Sequence, residues 1–167
     1  MIKTKPRGLK RYSRKMIRAI EEATRIFPSV PDDYDVWHFH LPFKWALLES
    51  HKAPFWVRRL CVQTLIDCAD NLARRAPAEF SAHVVVAVNL PGLPNSQIIV
   101  FFRGSEANFW NRNTSEQKWT PKAGRLSSSW HLNIPSGFVE RGYDEEWRDE
   151  GEIYRSQIWF FGELDGR

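Results

Sequence analysis

The segment between Pro54 and Pro77 limits what this chain can fold into more than any other. Pro54 suits the first turn of a helix, and Pro77 closes the run after Arg75. At about 100° per residue, Val57, Leu60, Cys61, Val62, Thr64, Leu65, Ile66, Cys68, Ala69, Leu72 and Ala73 cover most of the circumference. Only Arg59, Gln63, Asp67, Asp70 and Arg74 make a polar strip. A helix apolar over so wide an arc is a central, mostly buried one, and it needs a sheet to lie across. Two runs supply that sheet: His83 to Leu90 and Gln97 to Phe102 are β-prone and apolar on both faces, as inner strands covered on each side are. Pro91-Gly92-Leu93-Pro94-Asn95 joins them as a five-residue hairpin loop.

The remaining elements follow from period and punctuation. Leu9, Tyr12, Met16, Ile20, Ala23 and Phe27 fall at helical spacing and Pro28 ends the run. Ser29 to Asp35 reads as a loop. From Val36 to Leu41 the pattern changes to period two, predicting a half-buried strand with Trp37, Phe39 and Leu41 inward and Val36, His38 and His40 outward. A short helical turn is expected around Lys44 to Ser50, and irregular chain from Ser105 to Gly124 with a turn near Asn108 to Arg112. Trp130 to Ile134 reads as a short strand, residues 140 to 152 as an acidic loop, and Gln157 to Phe161 as a last inner strand. At 167 residues the chain is long enough to bury one core without staples. The expectation is a single α+β domain, a mostly antiparallel sheet of four to five strands with two main helices packed on it. Residues 1–15 form a basic arm and residues 16–167 the domain.

No apolar run approaches the roughly 20 residues of a membrane span, and the basic start, Met1 to Lys10, has no apolar stretch behind it. A cytoplasmic protein with no membrane association is expected. Cys61 and Cys68 would lie roughly 10.5 Å apart along one helix, too far for a disulfide, so both read as reduced core thiols. The net charge of +4 conceals a polarity. Residues 1 to 18 carry Lys3, Lys5, Arg7, Lys10, Arg11, Arg14, Lys15 and Arg18 with no acid, hence +8. Residues 140 to 152 carry Glu140, Asp144, Glu145, Glu146, Asp149, Glu150 and Glu152 against Arg141 and Arg148, hence −5. The basic segment is an arm for nucleic acid or another polyanion, or a solvated terminus, or one that docks on the chain's own acids.

Two groups of residues carry chemistry. His38 and His40 sit two apart on a strand and so share a face. They could hold a divalent metal, given a third ligand from His51, His83, His131 or Asp67. They could instead do acid–base work on a phosphodiester, or be surface histidines of an edge strand. Arg58 and Arg59 stand in the first turn of the buried helix, where the amides of Phe55 and Trp56 lack intrahelical partners. Guanidiniums beside free amides suit phosphate or carboxylate. The competing account pairs Arg58 with one of the chain's own acids. Lys10, Arg11 and Arg14 extend the anion-binding set. No Gly-rich phosphate loop, GxSxG, HExxH or CxxC occurs. Asp70 is placed to pair with Arg74 at i+4, and Trp45, Trp56, Trp110 and Trp119 could stack on bases or simply pack.

The chain resembles an uncharacterised family of small bacterial proteins, a domain of unknown function. The stretches that carry the likeness are Trp37-His38-Phe39-His40-Leu41-Pro42, Val57 to Asp67, Asn89-Leu90-Pro91, Asn95 to Phe102 and Trp159 to Leu164. The resemblance implies a bacterial cytosolic protein and brings no activity to any residue. The leading expectation is therefore a protein that binds an anionic ligand, nucleic acid or nucleotide, through the arm and a cluster of His38, His40, Arg58 and Arg59. The alternatives are a metal-dependent or histidine-based phosphoester hydrolase using His38 and His40, and an immunity- or antitoxin-like module that binds a protein partner.

Overall fold

The computed structural model describes residues 9–26, 36–40, 54–76, 82–90, 97–102, 120–121 and 125–162. In chain order these form α1 (Leu9–Ala23), β1 (Val36–His40), α2 (Phe55–Arg75), β2 (Ala82–Leu90), β3 (Gln97–Phe102), β4 (Thr120–Pro121), α3 (Leu126–Trp130), β5 (Val139–Asp149) and β6 (Glu152–Gly162). The strands make one sheet in the order β1-β3-β2-β6-β5-β4, and every neighbouring pair is antiparallel. The α+β, single-domain architecture is as the patterning implies. Its four long strands are flanked by two short edges, β1 and the two-residue β4.

The wide apolar arc of α2 does what its width requires. Val57, Cys61, Val62, Leu65, Ile66, Ala69 and Leu72 are buried against Val84, Val86, Val88, Ile98, Val100, Trp159 and Phe161 of the sheet. Met16 and Ile20 of α1 join the same core. The opposite face of the sheet is buried as well, through Val85, Ala87, Ile99, Phe101 and Phe160, so β2 and β3 are apolar on both faces because both are dry. The register Val84↔Val100 and Val85↔Ile99 confirms the β2–β3 pairing; residues 91–96 lie outside the described residues, as do the turns expected near 44–50 and 108–112.

Three expectations are corrected. Residues 140 to 152 are no acidic loop: they are most of β5 and its turn into β6, with Arg141↔Phe160 through Asp149↔Glu152 in register. Glu150 (φ 47°) and Gly151 (φ 86°) make the two-residue connection, the two successive positive φ values that a type I′ hairpin turn needs. Trp130 to Ile134 is no strand, because Trp130 is the last residue of α3 and His131 turns left-handed behind it. In β1, Phe39 is buried as expected, but Trp37 is 40% exposed rather than inward. β1 lies at the margin of the sheet, which leaves a large ring there only half covered.

Candidate anion seat at the head of α2

Pro54 caps α2 without a side-chain hydrogen bond, and the first turn holds no acid. The amides of Val57 and Arg58 reach back to the Pro54 carbonyl at 3.0 and 3.2 Å, which leaves those of Phe55 and Trp56 at the open end of the helix. Phe55 and Trp56 are themselves exposed, at 46% and 49%. Phe55 meets the Trp130 ring edge-on, with centroids 5.3 Å apart and planes at 73°. Arg58 follows one turn later and lies over the same ring, its Cζ 5.5 Å from the centroid. Trp130 is thus a floor shared by a ring and a cation.

The two arginines that the sequence offers as a pair have separate roles. Arg59 is committed to the protein's own backbone: its Nε donates to the Trp130 carbonyl at 2.7 Å and its Nη2 to the His131 carbonyl. Those carbonyls close α3, so the guanidinium complements the negative end of that short helix. Gln63, one turn on, completes the clamp by donating to the Asn133 carbonyl at 2.9 Å and accepting from the Asn133 amide at 2.8 Å. At the other end of α3, Glu140 of β5 accepts the amides of Leu126 and Ser127 and the Ser127 hydroxyl. A carboxylate at the N-terminus and a guanidinium at the C-terminus fix α3, and with it the Trp130 floor.

Arg58 is different. It is half-buried, its Nε is buried without a hydrogen bond, and among the described residues no carboxylate pairs with it. The expected competitor for Arg58, an acid from 140 to 152, is occupied elsewhere in the case of Glu140. An aliphatic stem inside the apolar arc and a guanidinium over an aromatic ring, with its buried Nε unsatisfied, make a seat with donors and no acceptor.

His38 and His40 occupy β1 opposite Ile99 and Gln97; their side chains, and that of Lys10, lie outside the described residues. No described contact joins these positions to Arg58 or Arg59. Among the described residues no group of three His, Cys, Asp or Glu side chains comes together. Asp67 binds the Gln63 amide at 2.9 Å, and Asp70 pairs with Arg74 at 2.9 Å as its spacing predicts. Arg11, Arg14, Lys15 and Arg18 are exposed along α1. Cys61 and Cys68 are both free thiols, and burial pushes the Cys61 pKa up to about 12.

Sequence reasoning missed the part of Trp130 and of Arg59. Seventy-one positions separate Arg59 from its first acceptor, and no local pattern announces such a contact. A match to a family profile, described as a protein of unknown function (DUF3916), spans residues 17–163. The chain belongs to that family. No curated protein and no solved structure matches it. No described helix is long and apolar enough to cross a membrane. Membership spans α1 from its third turn to the end of β6, so the Arg58–Trp130 seat and its α3 support lie within the family's extent.

Proposed function

We propose that this protein binds a phosphate-bearing ligand, nucleic acid or nucleotide, with Arg58 on its Trp130 floor as the specific contact and α1 as the electrostatic one. The observation that carries the reading is Arg58: a half-buried guanidinium with a buried, unsatisfied Nε and no acid partner among the described residues. An unpaired polar group in such a place is costly, and a phosphate oxygen would relieve that cost with a charge-assisted bond. The open amides at the head of α2 add donors on the same side of the ligand. The exposed Arg11, Arg14, Lys15 and Arg18 supply salt-sensitive affinity that depends little on sequence. A bacterial, cytoplasmic setting, as the resemblance implies, belongs to the same proposal.

The test is fluorescence titration of the purified protein with a short single-stranded oligonucleotide and, separately, a nucleoside triphosphate. Arg58→Ala should weaken binding by about tenfold or more, since a charge-assisted bond contributes about 1.5–3 kcal/mol. Arg58→Lys should recover only part, because an ammonium keeps the charge and loses the planar fork of donors over the indole. Unchanged affinity in Arg58→Ala at moderate salt would sink the seat.

A further inference from the structure

We infer that the ligand of the Arg58 seat carries an unpaired nucleobase beside its phosphate, and that Phe55 stacks on that base. Where the ligand is a strand, Trp56 takes a second base. The inference rests on the phosphate reading proposed above and names the chemistry that adjoins the phosphate. Two rings carry it. Phe39, Phe101, Trp159, Phe160 and Phe161 are buried, whereas Phe55 and Trp56, side by side at the head of α2, are about half exposed.

Phe55 and Arg58 are three residues apart and so are neighbours on the surface of α2. Both meet the same Trp130 ring. The T-shaped contact, with planes at 73°, takes up at most one face of the Phe55 ring. A nucleotide carries its base one sugar away from its phosphate. A phosphate on the Arg58 guanidinium therefore brings that base within reach of Phe55. Trp56 is turned about 100° further around the helix, so it cannot share a base with Phe55. Its neighbour one turn on is Leu60, which is exposed as well. That side of the helix suits the next base of a strand.

Every base has a π face, so stacking of this kind tolerates any sequence. A base paired inside a duplex has both faces covered by its neighbours and offers none. The rings therefore favour a single strand or a free nucleotide, while a duplex meets only the cations, through its phosphates. The exposed Arg11, Arg14, Lys15 and Arg18 of α1 give a strand further phosphate contacts. The competing role for exposed rings is to dock a protein. Against it stands Arg58, which puts hydrogen-bond donors and no acceptor beside the rings. Flat apolar faces next to an anion are what a nucleotide presents.

The experiment is a fluorescence-anisotropy titration of the full chain at moderate salt with a labelled single-stranded oligonucleotide and an abasic strand of equal length. The two probes carry the same phosphates and differ only in their bases. The base-bearing strand should bind about fivefold or more tighter. Phe55→Leu keeps an apolar side chain against Trp130 and removes the flat face. It should cancel most of that difference and leave the abasic strand unchanged, whereas Phe55→Trp should retain it. A nucleoside monophosphate and ribose 5-phosphate, used as competitors, separate the two sources. A monophosphate favoured by the same factor makes a free nucleotide the ligand. A base effect seen with the strand alone, and shared by Trp56→Leu, makes it single-stranded nucleic acid. Equal affinity for both strands, lost for both in Arg58→Ala, would overturn the inference and leave the phosphate seat standing. A Phe55→Leu variant that weakens both strands alike, or neither, would overturn it too. Affinity for both strands that Arg58→Ala leaves intact would remove the seat, and this inference with it.

Discussion

Gly142 of β5 sits opposite Trp159 of β6, and the indole occupies the space where a side chain at 142 would begin. A Cβ there would stand 2.3 Å from Trp159 Cζ3 and 2.5 Å from Cε3. Trp159 is buried in the core with α2, so the ring cannot swing away cheaply. Gly142→Ala should lower stability by about 1–3 kcal/mol, the range for overpacking, and a urea titration reads that as a lower midpoint. An unchanged midpoint would mean that the ring has room to move. Cys61 gives a second prediction at this scale. Burial raises its pKa from 9.0 to about 12, so between those values the unfolded chain has lost a proton that the folded one keeps. Folding stability then falls as pH rises through that window, by up to about 1.4 kcal/mol per pH unit for this one group, and the contribution is fully present below pH 9. Cys61→Ala should start from a lower stability, because a buried side chain is truncated, and should show a shallower decline above pH 9. Equal slopes would place the pH dependence on other groups.

At the scale of elements, α2 organises the helical layer with an arginine near each end. Arg59 closes α3 through the Trp130 and His131 carbonyls. Arg75 closes α1 by donating to the Thr24 and Arg25 carbonyls, each at 2.7 Å. Both put positive charge where a helix ends. Arg59→Met keeps much of the stem and removes the donors, so it should loosen α3 selectively. Amide exchange of residues 126–133 should then quicken by more than that of α2's buried turns, and uniform acceleration would argue against a local clamp. This element also shows what the sequence could and could not disclose. The extent of α2, the β2–β3 pairing and the final strand were legible because period and proline punctuation are local. The end of α3 was not, because the residue in the left-handed position is His131 (φ 51°) rather than the glycine that marks most such ends. The Leu132 amide to Ser127 carbonyl bond, at 2.8 Å, closes the turn all the same. β5 was hidden by its charges: Glu140, Asp144, Glu145 and Glu146 are poor strand formers, and pairing with β6 overrode them. Of the candidate site, the half-buried place of Arg58 could be read from its angle on the helix. Its separation from Arg59 could not, since Trp130 and its neighbours arrive from far along the chain.

For the whole molecule, the division of charge decides how a polyanion would meet it. Residues 1 to 18 carry +8 and residues 140 to 152 carry −5, so the average of +4 is a poor guide to any one surface. On the proposed reading, a polyanion would be drawn to the basic residues of α1 and repelled by the acidic segment, before any contact with Arg58. The exposed Arg11, Arg14, Lys15 and Arg18 give a quantity to measure. If all four neutralise phosphates of a duplex, they contribute about −3.6 to the slope of log K against log salt, at about −0.9 per contact. Arg14→Ala with Arg18→Ala should reduce the magnitude of the measured slope by about 1.8, with affinity lost alike for every sequence tested. Arg58→Ala removes one contact and should change the slope by no more than about 0.9, yet cost more affinity at high salt, where only the buried contact escapes screening. A pair of titration series over salt, one for each variant, separates the two roles. If the α1 variant leaves the slope intact, the basic helix is not the electrostatic footprint. The charge would then have to be supplied by other residues, and Arg58 would stand as a small-ligand seat by itself.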